Sequence, residues 1–88
     1  MPCAPWAGMV TKEILRAWLI EALRANNGIG TIVEVCKYIW DHYENELRIS
    51  GDLFFTWQYQ VRWAATELRK DGVMRAAHLS PKGFWELV

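Results

Sequence analysis

The chain has only two cysteines, two histidines and three prolines among its 88 residues, and it carries no net charge. Each shortage closes off a class of protein. Cys3 near the start and Cys36 within a helical pattern make no disulfide framework of the kind that staples small secreted domains, so a reducing cytoplasm is the expected setting. A zinc site wants ligands that converge, whereas His42 and His78 are distant in sequence and Cys36 and His42 point to different sides of one helix. No metal ligand set is expected. With no Gly-rich phosphate loop, nucleophile elbow or paired-carboxylate constellation, neither catalysis nor a cofactor is expected. The longest apolar run, Ile14 to Ala25, is interrupted by Arg16, Glu21 and Arg24 and cannot span a bilayer. There is no basic segment followed by an uncharged apolar one at the start, so no secretory signal is read.

Ten basic and ten acidic side chains sum to zero, which weighs against a domain drawn to phosphate by its overall charge. Phosphate binding then requires charge segregated onto one face. What the chain has in quantity is apolar surface: 52% hydrophobic residues, six of them Trp, spread in periodic runs. A single domain of this size buries roughly 60–65% of the surface its unfolded chain exposes, so the core must be efficient.

Residues 1–10, MPCAPWAGMV, hold prolines, a glycine and no charge and are expected to form an irregular arm, with Trp6 and Met9 tucked onto a domain spanning 11–88. Thr11 is a plausible N-cap for a first helix running to about Ala25. Leu15, Trp18, Leu19, Ala22 and Leu23 share one face of it. Asn26-Asn27-Gly28 stops it, Gly28 suiting the left-handed C′ position. Ile29-Gly30 is a stub of strand. Thr31 and Glu34 have the spacing of a capping box, which starts a second helix whose apolar repeat is Ile32, Cys36, Ile39, Trp40, Tyr43 and Leu47. Lys37 and Asp41 form an i,i+4 pair on its wet side, and Asp41, Glu44 and Glu46 make an acidic cluster, read as a solvated face that would also repel DNA and so mark the side turned away from it.

Asp52 is placed to cap a third helix, in which Phe54, Trp57, Val61, Ala64 and Leu68 form the buried seam. At about 100° per residue, Thr56, Tyr59, Trp63, Thr66 and Lys70 lie opposite that seam, with Gln60 and Arg62 on its flanks. A merely solvated face seldom carries both Tyr and Trp. Asp71-Gly72 ends the helix; Val73–Leu79 and Phe84–Val88 read as short strands joined by a Ser80-Pro81-Lys82-Gly83 turn, with Lys82 at the tip. The fold class is mainly α with a small β-hairpin, a winged helix-turn-helix of three helices and a two- to three-stranded wing.

Val61, Trp63, Ala64, Leu68, Lys70 and Gly72, followed by Gly83 and Trp85, resemble the pattern of the amino-terminal winged-helix domain of Mrr-type restriction proteins. The resemblance covers the carboxy-terminal half, and the first two helices only by order and length. Gln60 stands where the family has a basic residue, and Asp71 precedes the glycine, so this helix is less cationic than the family pattern. The resemblance implies a DNA-recognition module, and since no residues remain for the family's nuclease domain, no cleavage by this chain.

The expected partner is double-stranded DNA, the third helix in the major groove and the wing on the backbone. Thr56, Gln58 and Gln60 occupy the early turns that meet base edges; Tyr59, Arg62, Thr66, Lys70 and Lys82 are the remaining candidate contacts. Each has a plainer reading as unspecialised surface. Trp63 and Trp85 are expected to pack against each other or into the helix–wing junction rather than stack on bases. The alternative function is a protein-interaction or dimerisation module using the Tyr59/Trp63 face, which zero net charge and abundant Trp favour. One continuous positive face from Arg62, Arg69, Lys70, Arg75 and Lys82 would favour DNA. Cations each beside an acid, with an apolar patch between, would favour protein.

Overall fold

The computed structural model describes residues 12–88; the arm at 1–10, with the contacts expected of Trp6 and Met9, and the Thr11 cap lie outside the described residues. Three helices, α1 (Lys12–Ala25), α2 (Ile32–Arg48) and α3 (Leu53–Lys70), carry most of the chain. Two short strands, β1 (Ile29–Thr31) and β2 (Phe84–Glu86), pair antiparallel with Gly30 opposite Trp85. The architecture is mainly helical with a small sheet, a winged-helix arrangement.

The five residues at helical spacing in α1, Leu15, Trp18, Leu19, Ala22 and Leu23, are all buried. At the end of α1, the Leu23 carbonyl accepts from the Gly28 amide at 2.6 Å, and the left-handed residue closing the helix is Asn27 (φ 62) rather than Gly28, which follows it at φ 89. Asn tolerates that conformation because its short polar side chain is only mildly crowded there. The link leads directly into β1. Thr31 and Glu34 then form both bonds of the capping box, at 3.2 and 2.8 Å.

In α2 the buried residues are Val35, Ile39 and Leu47; Cys36, Trp40 and Tyr43 are half-buried. A kink at Tyr43 (φ −130, ψ 23) breaks the helical period, so no single stripe runs the length of the helix. The kinked residue has a task. Its ring stacks on Trp18 at 4.1 Å and 7°, and its hydroxyl donates to Glu21 at 2.6 Å, beside a second bond to the same carboxylate from Tyr38 at 2.7 Å. This polar fork fastens α2 to α1. The ion pair at i,i+4 spacing in α2 is Glu44–Arg48 at 2.7 Å and not Lys37–Asp41.

Burial first, and then the bond to Glu21, pushes the Tyr43 phenol well above the ordinary range; for Tyr38 the bond to Glu21 is the larger cause. A group whose folded pKa is raised contributes stability that is complete below its unfolded value, here 10.0, and is lost as pH rises from there through the folded value. Urea unfolding at neutral pH and at about pH 11 should therefore show a larger alkaline loss for the wild type than for Tyr43→Phe. Equal losses would show that Tyr43 is not linked to folding.

Trp57, Val61, Ala64 and Leu68 of the expected α3 seam are buried, joined by Ala65, while Phe54 is half-buried at an aromatic edge 6.3 Å from Trp40. Asp52 makes no side-chain cap: its backbone is already helical, and the first-turn amides of Phe54 and Phe55 are taken by the carbonyls of Gly51 and Asp52. The far end closes as a Schellman motif. Val73 N–H donates to Leu68 at 2.9 Å and Gly72 N–H to Arg69 at 3.2 Å, with Gly72 at φ 80, a conformation that only glycine takes without crowding its own Cβ.

The wing differs from its expected form. Val73–Leu79 is not a strand: a single bridge joins Met74 to Leu87, Arg75 N–H donates to Glu86 at 2.8 Å, and Ala77–Leu79 curls into a 3-10 turn. Ala76, Ala77 and His78 supply none of the branched or bulky side chains that fit a pleated surface. β2 takes its main partner from β1, far away in sequence. The tip turn starts at Pro81 and not Ser80, since Phe84 N–H donates to Pro81 at 3.1 Å, which puts Gly83 (φ 83) at the position where a type II turn needs a left-handed residue.

Candidate nucleic-acid interface

The helical rotation of about 100° per residue divides the exposed part of α3 into three strips. Gln60, Glu67 and Asp71 fall on the strip beside α1; Gln58, Arg62 and Arg69 fall on the strip toward α2 and the wing. Between them an outward strip carries Phe55, Thr56, Tyr59, Trp63, Thr66 and Lys70, all exposed. Thr56, Tyr59 and Arg62 are therefore open to solvent.

On the α1 side both acids of α3 are occupied by one cation. Arg16 meets Asp71 at 2.6 Å and Glu67 at 3.8 Å. The carboxylate next to Gly72, which makes the sequence of this helix look less cationic, is thus matched from another element. Gln60 sits on the same strip, with its Oε1 buried and without a hydrogen-bond partner. The residue as a whole is half-buried.

On the other side lies a cleft of about 540 Å³ between α3 and the wing. Arg62, Thr66, Arg69, His78, Lys82 and Trp85 line it, and none of its lining residues is acidic. Arg69 Nε and Ser80 Oγ, both on this cleft, are buried with no hydrogen-bond partner. Among the described residues Arg62, Arg69, Lys70 and Lys82 belong to no ion pair, whereas Arg75 is held by Glu86 at 3.6 Å. The Thr66 hydroxyl donates back to the Arg62 carbonyl at 3.2 Å.

The structure thus brings Arg62, Thr66 and Lys82 together, places Gln58, Tyr59 and Arg62 on a second groove, and leaves Thr56 and Lys70 apart on the outward strip. Asp41, Glu44 and Glu46 do not line the helix–wing cleft. Two residues of these surfaces were not among the individual candidate contacts, Arg69 having been named only as part of the positive face and Phe55 not at all. Arg69 repeats the position of Arg62 two turns later, a signal legible from the spacing; Phe55 was hidden beside the seam residue Phe54. No ring contact joins Trp63 to Trp85 among the described residues: Trp85 packs on the core and Trp63 stays 48% exposed.

The second groove, about 850 Å³ between α2 and α3, is lined by Val33, Cys36, Trp40, Trp57, Tyr59 and Arg62 among others. Burial pushes the Cys36 thiol up, against a smaller opposite effect of Arg62, which leaves it a poor nucleophile. Among the described residues no three of His, Cys, Asp and Glu converge as a metal-holding group, and no helix is long and apolar enough to cross a membrane.

No family model, curated protein or solved structure matches the chain. The functional reading is carried by the geometry alone.

Proposed function

We propose that this chain binds double-stranded DNA without chemistry, α3 entering the major groove and the wing meeting the adjacent backbone. The observation that carries the reading is the sorting of charge about α3. Arg16 holds Glu67 and Asp71 on one side, and the cleft on the other side has Arg62, Arg69 and Lys82 with no acid among them. A chain with zero net charge acquires in this way one face with a phosphate-attracting field. Thr56 and Gln58, in the early turns, are the base-edge contacts; Tyr59, Arg62, Thr66, Lys70 and Lys82 are the backbone contacts, with Arg69 added. Gln60, half-buried on the α1 side, is left out of these contacts.

Few cations make the binding weak and steeply dependent on salt. If about four phosphates are neutralised, log affinity should fall with log salt at a slope near −3.6, taking roughly −0.9 per phosphate. Fluorescence anisotropy with a labelled duplex over a salt series measures it. An affinity that does not move with salt overturns the mechanism.

A second reading has its own support. Phe55 is 82% and Tyr59 60% exposed on the outward strip beside Trp63, an apolar row that commonly marks a protein interface.

A further inference from the structure

Val61 lies near the centre of α3, and six residues around the opposite face fall in three pairs symmetric about it, while Phe55, about 60° from that direction, stands outside the pairs. Asp52 and Lys70 are equidistant from Val61 along the chain, as are Thr56 and Thr66, and Tyr59 and Trp63. All six lie within about 40° of the direction pointing away from Val61, at 100° per residue, and all six are exposed. Among the described residues neither Asp52 nor Lys70 is in an ion pair.

A face of this kind is complementary to itself. When two helices pack antiparallel about a twofold axis through their centres, each residue on one side of the centre meets the residue equally far on the other side in the partner. In that register Tyr59 packs on the partner's Trp63 and Thr56 on its Thr66, while Asp52 meets its Lys70. Every contact occurs twice. The charges at the two ends are opposite, spaced by about 27 Å at 1.5 Å per residue, so both end pairs close together in the antiparallel arrangement. In a parallel one Asp52 would face its own copy, and so would Lys70.

We infer that the occupant of the outward face of α3 is a second copy of this chain, paired antiparallel across the Tyr59/Trp63 centre and held in register by two Asp52–Lys70 ion pairs. The inference rests on the protein-interaction reading and does not require that the chain bind DNA. The paired helix is the one proposed to enter the groove, so duplex and second copy compete for it.

The test is sedimentation equilibrium of the full chain without nucleic acid, from about 1 to 200 µM. The wild type should pass from monomer to dimer with rising concentration. Asp52→Lys gives two facing lysine pairs and Lys70→Asp two facing aspartate pairs, so each variant alone should dissociate about tenfold or more readily, because symmetry doubles every change. Mixed in equal amounts, the two variants regain opposite charges at both ends and should form a heterodimer, and the Asp52→Lys, Lys70→Asp double variant should dimerise by itself. Asp52 makes no cap bond and, among the described residues, no ion pair, so its reversal removes no hydrogen bond that caps α3. A wild type that stays monomeric, single reversals that dimerise as the wild type does, or a mixture that remains monomeric would each overturn the assignment. Failure of duplex binding would leave it untouched.

Discussion

The Arg62→Ala, Lys82→Ala double variant is expected to bind a duplex of about 20 base pairs roughly 30- to 150-fold more weakly than the wild type at moderate salt, taking about 1–1.5 kcal/mol for each charged contact removed. Both side chains line the helix–wing cleft, one from α3 and one from the tip turn, and neither is in an ion pair among the described residues. Their removal therefore costs the fold little, and a duplex that spans helix and wing loses a contact at each. With two of about four neutralised phosphates gone, the salt slope should fall from about −3.6 to about −1.8. The slope distinguishes lost phosphate contacts from general damage, which would lower affinity and leave the slope unchanged. Arg75→Ala serves as the control: its guanidinium is held by Glu86 and should leave the slope near that of the wild type. Equal affinity and equal slope in the double variant and the wild type would remove the cleft from the interface.

Leu68→Ala is expected to lower the unfolding free energy by about 3 kcal/mol, within the range of 2–5 kcal/mol for a fully buried leucine. That corresponds to a fall in Tm of about 12–24 °C for a domain of this size. Leu68 is 1% exposed and lies at the end of α3, where its carbonyl also accepts the Val73 amide that closes the Schellman motif and the Met74 amide that starts the wing. Its side chain fills the core under the place where helix turns into wing. The cavity left by alanine loosens helix packing and wing attachment together, so thermal unfolding should remain a single transition at lower temperature. A loss below about 1 kcal/mol would mean that the site collapses around the gap. Total stability for a domain this size is about 5–15 kcal/mol, so the variant should still fold at room temperature.

Much of the fold was legible in the residues because it depends on local rules. The spacing of Leu15, Trp18, Leu19, Ala22 and Leu23 places the buried face of α1, the Thr31/Glu34 pair starts α2, and Gly72 ends α3; each works through hydrogen bonds or dihedrals within a few residues. Where neighbours in space decide, local pattern was insufficient. Asp52 has the composition of a cap, yet backbone carbonyls take the first-turn amides of α3. Val73–Leu79 reads as a strand, yet β2 pairs with β1 instead, because the short link after α1 delivers Ile29–Thr31 to its edge.

For the candidate site, the sequence by itself determined which residues face outward from α3, since a helix converts spacing into direction whatever surrounds it. Only the tertiary structure decided which charges meet there. Arg16 reaches Glu67 and Asp71 from another helix, Lys82 arrives on the same cleft as Arg62 from the wing, and the Gln60 Oε1 is buried. Charges far apart in the chain partner one another through space, and a count that sums to zero along a sequence carries no information about which of them meet.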